Sequence, residues 1–70
     1  MSDAKFTRHK VLVFVAVHSR FSWEDIVEYR NSWVQRILEG ISSDKLKSQE
    51  VRDFATEACE SNEWKERRYE

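Results

Sequence analysis

Histidine, cysteine and paired carboxylates do most of the chemistry in small proteins, and this chain holds few of them at useful spacings. Its two histidines, His9 and His18, lie nine residues apart. That separation puts them on opposite faces of a helix and equally on opposite faces of a strand. They cannot chelate one ion from within a single regular element. Adding Cys59, the one cysteine, gives three good ligands and no pair at a zinc-binding spacing. No metal and no cofactor is expected, and His18 reads as the polar cap of an apolar run. A nucleophilic Cys59 would need a neighbouring base or a depressed pKa. In ATEACES it follows Ala55 by one helical turn and reads as a small packing residue.

Glu24 and Glu28 are one helical turn apart, as are Asp53 and Glu57. Such pairs run acid–base chemistry when burial splits their pKa values. Here they read as solvent-facing. The single glycine, Gly40, leaves no glycine-rich phosphate loop, which excludes nucleotide hydrolysis by that route. The expectation is a chain that is not an enzyme and takes no small-molecule substrate.

Binding is the remaining class of function, and the stretch KVLVFVAV, residues 10–17, carries the argument. Seven consecutive apolar residues are too few to span a membrane, which takes about 20. The residues that follow, HSRFSW, are not those of a signal-peptide cleavage site. A lone cysteine suits a reducing compartment, so the expected location is cytoplasmic. Twelve Lys and Arg oppose thirteen Asp and Glu, a net charge of -1. The basic excess lies in the first 20 residues, where Lys5, Arg8, Lys10 and Arg20 face only Asp3. That balance argues against strong non-specific nucleic-acid binding.

The clearest element is FSWEDIVEYRNSWVQRILEG. Ser22 reads as an N-cap, with Glu24 and Asp25 in the first turn and Phe21 and Ile26 at the positions of a hydrophobic staple. Apolar residues at 23, 26, 27, 33, 34, 37 and 38 predict one amphipathic helix over 23–39. Gly40 then reads as a stop at positive φ, and Trp33 as a core residue. A second helix is expected over 43–61 on the stripe Val51, Phe54, Ala55, Ala58 and Cys59. Leu46 is out of phase with that stripe, so a turn at 43–47 and a helix from 49 is the other outcome. Residues 62–70 read as a tail.

Residues 5–18 can be read two ways. As a strand, Val11, Val13, Val15 and Val17 share one face. A strand needs a ladder partner, however, and the chain offers no second one. As a helix, the same residues spread apolar surface nearly all round. Either way a 70-residue chain has little material to cover them.

The first reading is therefore all-α: a single small three-helix domain over 1–70, self-associating or docked on a protein partner. It would be a binding or regulatory module. The expected interface comprises Val11, Val13, Val15, Val17, Tyr29, Trp64 and Tyr69. Trp64 and Tyr69 are included because they stand isolated in a charged tail, and aromatics are enriched in interface hot spots. The alternative is an α+β dimer with a strand at 10–18. In outline, over residues 8–60, it resembles the ribbon-helix-helix repressors. That resemblance implies DNA binding through a two-stranded ribbon, with Arg8, His9 and Lys10 as candidate contacts. The ribbon's outward face would be apolar here, where base reading calls for polar groups.

Overall fold

The computed structural model describes residues 5–65. Its elements follow in chain order: α1 (Arg8–His18), α2 (Trp23–Ile26), α3 (Asn31–Ser42) and α4 (Gln49–Glu60). The chain is a small, compact all-α domain, with four helices and no strand among the described residues. The ribbon alternative is thereby overturned, and with it the pairing that would have presented Arg8, His9 and Lys10 to a groove.

Helix α1 starts where Thr7, in extended conformation, accepts a hydrogen bond at Oγ1 from the Lys10 amide at 3.1 Å. This is the usual N-cap arrangement. Five of the seven residues from Val11 to Val17 are β-branched or aromatic, which favours a strand locally. The helix wins because it satisfies its own backbone and needs no ladder partner. Val11, Leu12 and Val15 are then buried against the rest of the chain.

The predicted helix over 23–39 is broken. Ser22 caps α2, accepting from the Asp25 amide at 3.2 Å. The chain leaves helical conformation at Arg30, whose φ of -73° and ψ of 159° are extended. The apolar stripe lapses at the same place: Arg30 and Asn31 fill the positions one turn beyond Ile26 and Val27. A straight helix would bury nothing there. Arg8 closes the break from α1. Its Nη2 donates to the Tyr29 carbonyl at 2.7 Å, and its Nε donates to Asn31 Oδ1 at 3.0 Å. Asn31 Nδ2 in turn donates to the Lys65 carbonyl at 3.1 Å.

Helices α3 and α4 form the best-packed pair. Val34, Leu38 and Ile41 are buried on α3, and Ala55 and Ala58 on α4. The alanines let the helix backbones approach. Gly40 lies inside α3, and no described residue has positive φ, so the expected glycine stop is corrected. The helix ends at Ser43, whose amide returns to the Glu39 and Gly40 carbonyls. Residues 43–48 form a turn held by Asp44, whose Oδ1 accepts from the Leu46 amide at 2.9 Å. Ser48 then caps α4. A single helix over 43–61 is thus corrected to the turn-and-helix outcome, and Leu46 is 95% exposed.

Two tryptophans exchange the roles expected of them. Trp64 is the largest fully buried side chain, and its Nε1 donates to the Ala58 carbonyl at 2.9 Å. Trp33 is 55% exposed, with the Arg36 guanidinium over its ring. An aromatic cluster ties α1 to α4: Phe54 stands 5.0 Å from Phe6 and 4.3 Å from Phe14, centroid to centroid.

Candidate functional site

The surface left over by this packing is concentrated between residues 13 and 27. Val13 and Val17, one turn apart on α1, are exposed, and Val17 reaches 69%. Phe21, Trp23 and Val27 are also exposed, each by more than a third. Neighbouring contacts order this region. His9, one turn before Val13, packs its ring edge-on against Trp23 at 5.7 Å. Val27 follows Trp23 by one turn, its amide donating to the Trp23 carbonyl at 3.0 Å. Phe21 packs edge-on against Tyr29 at 5.6 Å.

Beside this strip an open groove of about 420 Å³ runs between the C-terminal ends of α1 and α3. Val17, Phe21, Ile37 and Ile41 supply its apolar walls, and Gly40 lies in its floor. Its polar rim is His18, Arg20, Asp44 and Lys47. Partial burial, and secondarily the Lys47 ammonium, push the His18 pKa below its ordinary 6.5. Both effects favour the neutral ring, and Arg20 and Lys47 are the permanent cations of the rim.

The expected interface residues divide sharply. Val11 and Val15 have no exposed surface, and neither has Trp64. Val13 and Val17 are on the surface, and Tyr29 is half-buried. Tyr69 lies outside the described residues. The three candidate nucleic-acid contacts lie in the first turn of α1. Arg8 is spent on Tyr29 and Asn31, His9 packs on Trp23, and Lys10 is exposed. Trp23 and Val27, on the apolar stripe predicted for 23–39, and Phe21, at its staple position, are exposed. The lapse of the stripe at Arg30 was the available signal, because a broken helix need not bury both halves of its face.

The residues with reactive side chains stay apart. No three His, Cys, Asp or Glu side chains gather to hold a metal ion among the described residues. Burial, reinforced by Glu39, raises the Cys59 pKa, so the thiol rather than the thiolate is favoured. Glu24, Glu28, Asp53 and Glu57 are all exposed, and Glu57 is ion-paired with Lys5. No described helix is long and apolar enough to cross a membrane.

Compared with protein-family models, with curated proteins and with solved structures, the chain finds no match.

Proposed function

We propose that this protein is a non-catalytic interaction module that binds another polypeptide through Val13, Val17, Phe21, Trp23 and Val27. One observation carries the reading. Five large apolar side chains within one 15-residue stretch are 38–69% exposed, although eleven apolar residues among those described are buried in a core. Scattered exposed hydrophobics are ordinary, but this many in one short stretch supports a contact surface. Trp23 and Phe21 supply the rigid aromatic area that interfaces favour. A lone free cysteine suits a reducing compartment, and the cytoplasm is the location we propose.

Affinity capture from native lysate tests the reading, with nuclease-treated and untreated arms and with the Val17→Ser, Trp23→Ser double variant alongside. A protein, whether a second copy or another chain, should be recovered in both arms by the natural sequence and lost with the variant. Equal recovery by the variant, or recovery abolished by nuclease, would refute it.

A further inference from the structure

Three observations converge on the groove between α1 and α3. The first is Gly40. Glycine in a helix interior is less favourable than alanine, yet here a Cβ at position 40 would meet nothing within 4 Å. Close packing inside the chain does not account for it, and the open space leaves room for a side chain from outside at this point of the groove.

The second observation is charge. Arg20 and Lys47 flank the groove and make no ion pair among the described residues. Asp44, the one acid on the rim, is engaged by the Leu46 amide. The groove is thus apolar within and cationic at its edges, and its complement is an acidic segment carrying large apolar side chains.

The third observation is that the chain itself presents such a segment. The run WEDIVE, residues 23–28, exposes Trp23 and Val27 together with Glu24, Asp25 and Glu28. None of these carboxylates is paired within the described chain. Phe21 stands in the groove wall and Trp23 begins α2 two residues later, so donor and acceptor surfaces are neighbours on one copy.

We propose that the partner is a second copy of this chain. Each copy lays the Trp23 and Val27 face of α2 into the other's groove, over Gly40. Glu24 and Glu28 of one copy then meet Arg20 and Lys47 of the other. A two-fold axis between the neighbouring surfaces makes both contacts at once, so the assembly closes as a dimer. The inference rests on the interaction-module reading and names its partner.

The test is a charge exchange followed by sedimentation equilibrium over a wide dilution series. The natural chain should pass from monomer to dimer with rising concentration. Glu24→Lys with Glu28→Lys should weaken the pair on the order of a hundredfold, and so should Arg20→Glu with Lys47→Glu. Mixing the two variants should restore a mixed dimer, because each then carries the charge the other lacks. Gly40→Leu guards against variants that merely unfold: the space is open, so helical content should persist while the dimer is lost. A natural chain that stays monomeric throughout overturns the proposal, as does a mixture that fails to restore the dimer. A monomer that still captures a different protein through Val17 and Trp23 sinks the pair and leaves the module standing. Loss of capture as well would sink both.

Discussion

The α3–α4 pair and the α1–α2 corner use the same kinds of residue to different ends. On α3 the buried positions Val34, Leu38 and Ile41 follow a strict four-then-three rhythm, and α4 meets them with Ala55 and Ala58. Apart from Trp33, most of the apolar surface there is absorbed by the fold. At the corner, Val11 and Val15 are consumed in the same way, but Val13, Val17, Phe21, Trp23 and Val27 are left outside. An apolar run with no polar face cannot be covered by one neighbouring layer of a chain this short. The surplus is the raw material for binding.

The largest expected effect falls on the core side of this division. Trp64→Ala removes a fully buried indole and orphans its hydrogen bond to Ala58. We expect a loss of about 3–5 kcal/mol, the range for a large aromatic in a core. In a domain this small that leaves the chain largely unfolded, which chemical denaturation followed by far-ultraviolet circular dichroism would register. Trp33→Ala, by contrast, should stay within about 0.5 kcal/mol of the natural chain. If the two tryptophans prove equally costly, the division between core and surface is drawn in the wrong place.

Next comes the joint between the two regions. Arg8→Met keeps the length of the side chain and removes its bonds to the Tyr29 carbonyl and Asn31. Leaving those partly buried groups unpaired should cost about 1–3 kcal/mol. Amide hydrogen exchange should locate the loss at residues 27–31. Uniform loss of protection, without a focus there, would show that Arg8 does not hold the break.

How much of this was legible in the sequence follows from how local each feature is. The cap at Ser22 and the stripe of α4 depend on residues a few positions apart and could be read directly, whereas the start of α4 fell to the second of two outcomes. The break at Arg30 is stabilised by Arg8, more than 20 residues upstream, so no window on 23–39 contains its cause. The same applies to Trp64. It looks isolated because its contacts come from Phe6 and α4 by way of a turn, including the Phe6 amide bonded to Glu63 at 3.2 Å. Trp33 is different. It stands one position, or about 100°, out of the rhythm of Val34, Leu38 and Ile41. A stricter reading of phase would have placed it at the edge of the stripe. The choice of helix over strand at residues 10–17 turned on a missing partner strand, and that reasoning from the whole chain succeeded where local propensity pointed the other way.

Gly40 separates stability from binding. Gly40→Ala should stabilise the monomer by about 0.5–1 kcal/mol, because the helix gains and nothing is displaced. A rise in thermal midpoint at low protein concentration checks this. A fall would mean that the groove floor is already filled within the chain. Val17→Ser sharpens the same contrast from the opposite wall. With 69% of the residue exposed, its effect on stability should be under about 0.5 kcal/mol, while capture of the binding partner falls.

The smallest effect is electrostatic and lies where the two regions meet. His18 closes α1, its ring 4.7 Å from Phe14, and it is half-buried beside the groove. Burial first, and Lys47 second, lower its pKa from 6.5. The unfolded chain therefore takes up a proton before the folded chain does, and stability must rise with pH through that interval. Full stability is present above 6.5 and declines as the pH falls toward the lower value of the folded ring. Partial exposure keeps the effect small. His18→Gln should flatten this acid-side slope and leave stability at pH 8 nearly unchanged. Nuclear magnetic resonance titration of the ring would give the folded pKa directly. A value at or above 6.5 would remove the predicted slope.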